Sequence, residues 1–280
     1  MRHPDQFTID WTGFYRAAER RTALTRSAFP HQLDIPYGPD PKQRLDLYLP
    51  SSPAPAGAPV FVFLHGGGFR EGDRAQYGFV ARPFLEHGIV TAVASYRLAE
   101  QGARYPDQPQ DARRILQWLH RNVQRHGGNP DVLYLGGHSA GAILAADLGV
   151  DRAWMDGLGI PRQALRGIVA ISGRYDLSVG GRPEERDLYV PTPEAKRLAS
   201  PVHRIKDPVP CALVALGARE PERLEDSRRF AAQLGAAGVT AKLFVIDGAD
   251  HAQAVERLAD PASELFHESL STLDCAGLRR

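Results

Sequence analysis

The sequence predicts one α/β domain of 280 residues, with a mostly parallel sheet covered by helices on both faces. Two observations carry this. Short apolar runs bounded by Gly, Pro or Asp alternate with longer stretches whose apolar residues recur at helical spacing. Several of those runs hold no polar residue, as strands buried on both faces require. No repeat, low-complexity tract or interdomain linker breaks the pattern, so residues 1–280 read as a single domain.

In chain order, residues 7–27 read as an amphipathic helix with Phe14, Ala17, Ala18 and Leu24 among arginines, and residues 1–30 as an N-terminal helical cap. Residues 31–36 and 44–49 read as strands joined by a Gly/Pro turn. The alternation of Leu45, Leu47 and Leu49 with Asp46 and Tyr48 suits a half-exposed edge strand. After a Pro/Ala loop at 51–59, Val60-Phe-Val-Phe-Leu64 is a buried strand. A helix near 76–87, a strand over 89–95 and a helix over 107–126 follow. The last carries Ile115, Trp118, Leu119 and Val123 at helical spacing. Val132–Leu135 and residues 167–172 read as further strands. Residues 173–208 lose the apolar pattern and read as an inserted lid or pocket wall, with one helix at 193–199. Regularity returns with a strand at 211–216, a helix at 222–237, a strand at 241–246 and short helices after His251.

Composition excludes several classes. Net charge is +1, from 34 basic and 33 acidic residues, which gives no field to attract nucleic acid or an anionic membrane. No apolar run approaches the roughly 18 residues of a membrane span. Residues 1–10 lack the apolar core of a signal peptide. The two cysteines, Cys211 and Cys275, form no disulfide framework or metal-ligand spacing, so a reducing, cytoplasmic location is expected. No metal or organic cofactor is expected, and oligomeric state is not readable. The expected partner is a small-molecule ester or formamide.

The chemistry centres on Gly137-His-Ser139-Ala-Gly141. An apolar strand precedes it and a helix-favouring run follows, so Gly-x-Ser-x-Gly reads as a nucleophile elbow. The tight turn lifts Ser139 Oγ clear of the sheet at a helix N-terminus, where developing negative charge is favoured. A serine hydroxyl needs a base within hydrogen-bond reach, and the base needs a carboxylate to orient it. The order nucleophile, acid, base, each just past a strand, is supplied by Ser139, Glu220 and His251. Asp226 and Asp247 are alternatives for the acid, and His203 is the rival base. His65 and His138 flank the motifs and are expected to orient loops. The run His65-Gly-Gly-Gly-Phe69 follows a buried strand. Its Gly67 and Gly68, with Ala140 and a possible share from Gly66, offer N–H donors for an oxyanion.

Taken with Tyr96-Arg-Leu-Ala99, these motifs resemble the hormone-sensitive-lipase-type carboxylesterases of the α/β-hydrolase superfamily, over roughly residues 30–275. Finer features resemble the bacterial arylformamidase (kynurenine formamidase) branch: Tyr37-Gly-Pro, Leu45-Asp-Leu-Tyr48, Ser172-Gly-Arg-Tyr-Asp-Leu177, Ser200-Pro201 and Gly217-Ala-Arg-Glu-Pro221. Glu220-Pro221 stands where the esterases carry Asp-Pro, which favours the formamidase branch. The third glycine, Gly68, favours the esterases. The resemblance implies an α/β-hydrolase fold and a serine hydrolase of small aromatic or short-acyl esters. Hydrolysis of N-formyl-L-kynurenine is the alternative, and a non-catalytic ligand-binding protein is the third reading. Arg97 and Asp111 are expected to form a structural bridge. Phe69, Trp154, Tyr175 and Tyr189 are the candidate pocket aromatics, because they lie in or near loops past strand ends. The helix carrying Trp11, Phe14 and Tyr15 is expected to cover the site.

Overall fold

The computed structural model describes residues 9–52, 54, 57–179 and 189–275. The start of the predicted 7–27 helix, parts of the 51–59 loop, the middle of the 173–208 segment and residues 276–280 lie outside the described residues. The strands are β1 His31–Pro36, β2 Arg44–Tyr48, β3 Ala58–Leu64, β4 Val90–Ala94, β5 Gly128–His138, β6 Leu165–Ile171, β7 Cys211–Gly217 and β8 Thr240–Ile246. They form one sheet in the order β1-β2-β4-β3-β5-β6-β7-β8. β2 pairs antiparallel with β1 and β4, and every other pairing is parallel. This is the α/β-hydrolase fold. Its helices are α1 Trp11–Ala28, α2 Ala81–Glu86, α3 Asp107–Asn122, α4 Ala140–Gly149, α5 Pro193–Leu198, α6 Pro221–Ala236, α7 His251–Leu258 and α8 Glu264–Cys275.

Strand periodicity sorts the core into two layers. From β3, Val60, Val62 and Leu64 join Ile115 and Leu119 of α3, Leu144 of α4 and Phe230 of α6. Phe61 and Phe63 face the other way, toward Phe14 of α1, Phe84 of α2, Val255 of α7 and Phe266 of α8. Phe61 stacks on Phe84 with ring centres 4.3 Å apart. Each such fully buried side chain contributes about 1.5–3 kcal/mol. Among the described residues, no helix is long and apolar enough to cross a membrane.

The strand order also places the site. After β3 the chain crosses to β4 on one side, and after β4 it returns to β5 on the other. The ends of β3 and β5 therefore flank a topological switch point, where crevices open in doubly wound sheets. The glycine run follows β3 and the elbow follows β5.

Three sequence expectations are corrected. β2 is not a half-exposed edge strand: it is buried along most of its length, and β1 is the edge. Asp46 is 2% exposed because Arg26 Nη2 and Arg74 Nε reach its carboxylate at 3.1 and 3.0 Å. Its polar side chain is buried by ion pairing, which alternation cannot distinguish from exposure. The helix expected over 76–87 is two 3₁₀ turns, Arg74–Gln76 and Gly78–Val80, ahead of the short α2. Gly78 lies against β2, where a Cβ would meet the Tyr48 hydroxyl at 2.2 Å. The α-helix expected to run to 126 ends at Asn122 and closes with a 3₁₀ turn, Val123–His126, before a left-handed Gly127.

Removing the Asp46 charge leaves two guanidinium groups without their buried partner. D46A is expected to lower unfolding free energy by about 2–3 kcal/mol, a value reduced for the partial exposure of Arg26. Urea unfolding at neutral pH measures it.

Candidate active site

Ser139 sits between β5 and α4 with φ 55° and ψ −115°. A serine holds this left-handed backbone only where its surroundings fix it. Its N–H donates to Ile171 O at 2.8 Å, tying the elbow to the end of β6. Gly137 and Gly141 provide the space. A Cβ on Gly137 would lie 2.4 Å from the Gly141 carbonyl carbon, and one on Gly141 would lie 2.1 Å from Leu64 O. No side chain fits at either place, so the elbow packs directly against the end of β3.

His251 is the first residue of α7. Asp250 caps that helix, accepting from the N–H groups of Ala252 and Gln253 at 3.0 and 2.9 Å. The cap aims the imidazole back at the elbow. His251 Nε2 stands 3.0 Å from Ser139 Oγ, and His251 Nδ1 stands 2.5 Å from Glu220 Oε1. The chain Ser139–His251–Glu220 is thus closed by hydrogen bonds. Neither alternative acid joins it. Asp226 accepts the Tyr175 N–H at 2.6 Å on α6, and Asp247 is exposed. The rival base His203 pairs with Asp176 at 3.3 Å.

Glu220 is 3% exposed. Burial alone would raise its pKa. His251, Arg223 and the Ser172 hydrogen bond outweigh burial and hold the carboxyl well below the usual carboxylate range. Ser172 Oγ donates to Oε2 at 2.5 Å and the Gly217 N–H donates to the same oxygen at 2.9 Å. Arg223 Nε lies 2.9 Å from Oε1. Sequence reasoning placed neither Ser172 nor Arg223 in the site. Ser172 drew notice only as part of a family-like string, although its position just past β6 matches that of Ser139 past β5.

The glycine run turns with positive φ at Gly67 (115°), Gly68 (60°) and Phe69 (62°). Among the described residues, no acceptor takes the N–H of Gly67 or Gly68. Ala140 opens α4, where first-turn amides lack intrahelical partners. Burial holds the Tyr77 phenol well above its usual pKa, and the neighbouring Gly66 N–H offsets part of that rise. The loop is fastened from behind. Tyr96 Oη donates to His65 O at 2.8 Å, and the Ala99 N–H donates to Phe69 O at 2.6 Å. Arg97 grips the buried Asp111 through Nη2 at 2.8 Å, with its own N–H at 3.0 Å, as the expected structural bridge.

His65 and His138 orient rather than titrate. His65 Nδ1–H donates to Gly66 O at 2.7 Å and its ring stacks on Tyr96 at 4.4 Å; burial pushes its pKa down to about 4. His138 Nε2–H donates to His251 O at 2.8 Å, and burial holds it well below the usual histidine range.

A cavity of about 420 Å³ opens over Ser139 and His251. Ile9, Trp11 and Tyr15 form one wall, and Trp11 meets the His251 ring edge-on with centres 6.1 Å apart. Arg70, Glu71, Glu100, Arg219 and Glu222 make the remainder strongly charged. None of the four aromatics expected in the pocket lines it. Phe69 and Tyr189 are stacked at 3.7 Å behind the loop, and Tyr175 is stacked on Phe230 at 4.2 Å in the core. Trp154 donates from Nε1 to Leu148 O at 3.1 Å at the far end of α4. The described part of 173–208 likewise lines none of this cavity. Large aromatic rings near strand ends gained more by joining the two cores.

Residues 45–178 match the BD-FAE family model. The chain is 30% identical over 255 residues to the esterase LipC of Mycobacterium tuberculosis, with 83% of this chain aligned. It is 28% identical over 250 residues to a kynurenine formamidase of Danio rerio, with 87% aligned. It spans 62% of the first relative's length and 82% of the second's. Among solved structures, a hyperthermophilic esterase from Pyrobaculum calidifontis superposes with TM-score 0.74 at 20% identity, covering 95% of this chain and 92% of that one. That last likeness concerns the fold.

The buried, neutral His65 makes stability pH-dependent. Below pH 6.5 the unfolded chain takes up a proton that folded His65 refuses until about pH 4, so stability falls across that window. This one group is expected to cost about 3 kcal/mol in full. Urea unfolding at pH 7 and 4.5 measures the fall, and His65→Gln should reduce it by about that amount, leaving the share of His138, which burial also keeps neutral.

Proposed function

We propose that the chain, which has the α/β-hydrolase fold, is a serine hydrolase, a carboxylesterase of small aromatic or short-acyl esters. The observation that carries this is the continuous hydrogen-bonded line from Ser139 Oγ through His251 to Glu220, at 3.0 and 2.5 Å. His251 Nε2 takes the Ser139 proton as Oγ attacks the ester carbonyl. Glu220, held ionised, fixes the imidazole with Nδ1–H toward itself and stabilises the imidazolium. The N–H groups of Gly67, Gly68 and Ala140 receive the oxyanion, each such donor being worth about 10²–10³ in rate. His251 Nε2–H then protonates the departing alkoxide. Water, activated by the same nitrogen, releases the acyl group from Ser139.

The cavity supports the substrate class. About 420 Å³ accommodates a small molecule, and its charged lining disfavours a long acyl chain. Trp11 and Tyr15 offer an aromatic face. The non-catalytic reading loses support because no member of the triad is missing.

Formamide hydrolysis by the same residues is the second reading. It is favoured by the glutamate in the acid position and by the formamidase relative whose length this chain spans more fully. Rates on p-nitrophenyl butyrate and N-formyl-L-kynurenine in one neutral buffer separate the two. The ester is expected to win by at least about tenfold in kcat/KM, or about 1.4 kcal/mol. The reverse ratio assigns a formamidase. S139A is expected to lose at least about 10³-fold on either substrate; retention of more than a hundredth of the rate would remove Ser139 from the mechanism.

A further inference from the structure

Glu220 carries one more partner than an orienting acid requires. Its Oε2 is filled by two neutral donors, Ser172 Oγ–H and the Gly217 N–H. Its Oε1 is shared between His251 Nδ1 at 2.5 Å and Arg223 Nε at 2.9 Å. Arg223 lies in the first turn of α6, just after Pro221, and its side chain is only 14% exposed. It also forms part of the cavity wall. A full positive charge therefore sits against the same carboxylate oxygen that orients the histidine.

We propose that Arg223 is a positioning residue of the triad: its guanidinium, in ion-pair contact with Glu220 Oε1 without a hydrogen bond from Nε, holds the carboxylate charged beside His251 and sets the pH range over which Ser139 is activated. The inference rests on the serine-hydrolase reading. The guanidinium acts on the two partners in opposite directions. It favours the ionised carboxylate, and it opposes a second positive charge on the imidazole. With Arg223 present, protonating His251 takes the Glu–His–Arg cluster from neutral to +1. Without it, the same proton takes the Glu–His pair from −1 to neutral, which is easier. Arg223 thereby makes a further positive charge at this cluster harder to add.

The other charges around the imidazole do not duplicate this. Glu222, on the same turn, lies 3.6 Å from Arg223 Nε and offsets part of its field. Arg219 faces Asp250 at 3.9 Å, at the cap of α7. His138, packed on His251 with ring centres 4.5 Å apart at the end of β5, is kept neutral by burial. Across the cavity stand Arg70, Glu71 and Glu100 from the loops after β3 and β4, and the phenol of Tyr15 from α1. Arg223 Nε is in ion-pair contact with the triad acid itself, at 2.9 Å from Oε1.

The test needs no knowledge of the substrate. A fluorophosphonate labels an activated serine, and its labelling rate follows the fraction of basic histidine. Rates would be measured from pH 5 to 9 for wild type, R223M and R223K. The acid limb of R223M is expected to move up by about one pH unit, a roughly tenfold slower labelling well below the limb. R223K, which keeps the charge, is expected to stay close to wild type. An R223M limb that coincides with wild type overturns the proposal, even if the plateau rate or thermal stability falls. A variant that only raises KM for an anionic ester, with the limb unmoved, makes Arg223 a substrate anchor and also overturns it. Should R223M fail to fold, R223Q serves as the second neutral variant. Wild type that takes no label overturns the serine-hydrolase reading itself, a result distinct from an unmoved limb.

Discussion

Burying the Glu220 carboxylate constrains the whole C-terminal half of the sheet. An ionised carboxylate removed from water costs several kcal/mol unless hydrogen-bonded and paired. Here its partners come from four places: Ser172 past β6, Gly217 at the end of β7, Arg223 on α6 and His251 on α7. Each arrives only if its own strand or helix ends in the right register. The site and the fold are therefore mutually dependent. The acid cannot be satisfied in a chain whose β6, β7 and α7 ends fail to converge, and without the acid His251 Nδ1 loses its hydrogen-bond partner.

The same economy appears in the backbone. Ser139 and Ser172 are both left-handed, with φ 55° and 54°, and both stand one residue beyond a parallel strand. Each N–H donates to the last turn of the neighbouring strand, Ser139 to Ile171 O and Ser172 to Ala215 O, at 2.8 and 2.7 Å. Such conformations cost about 1–3 kcal/mol each and persist only where the surroundings over-determine them. One of the two serines presents a hydroxyl to the cavity and the other presents its hydroxyl to the acid. A single device at adjacent strand ends thus serves both ends of the hydrogen-bonded line from Ser139 to Glu220.

Most of the sheet was legible because buried parallel strands are continuous apolar runs, and β3 and β7 have no other reading. Ser139, His251 and Glu220 were legible because chain order and strand-end position constrain them together. What failed has a common cause. Local pattern reports the intrinsic polarity of a residue and not the partner it finds in space. Asp46 looked exposed because Arg26 and Arg74 are distant in sequence. Phe69, Trp154, Tyr175 and Tyr189 looked like pocket walls because loops carry ligands, yet each found packing or a hydrogen bond away from the cavity. Arg223 has no local signal, and Ser172 has only its position just past β6. Their roles exist only once Glu220 has been placed between them.

The cavity wall has a further consequence for specificity. Ile9, Trp11 and Tyr15 belong to a segment that adds no strand to the sheet, whereas Ser139, Glu220 and the glycine run stand just past strand ends and His251 opens α7. On the proposed function, shape selection and bond cleavage would be carried by separable parts of the chain. On the proposed mechanism, ester and formamide would each form a tetrahedral adduct with a like-placed oxyanion at Ser139, so the oxyanion donors would discriminate little between them. They differ at the leaving atom, because an amine must receive the His251 proton before it departs while a phenol leaves readily without it. They differ also in what surrounds the acyl carbon, since a formyl group needs almost no room. The choice between the two therefore falls on how the α1 wall and the charged rim orient the leaving group toward His251 Nε2, and not on the nucleophile.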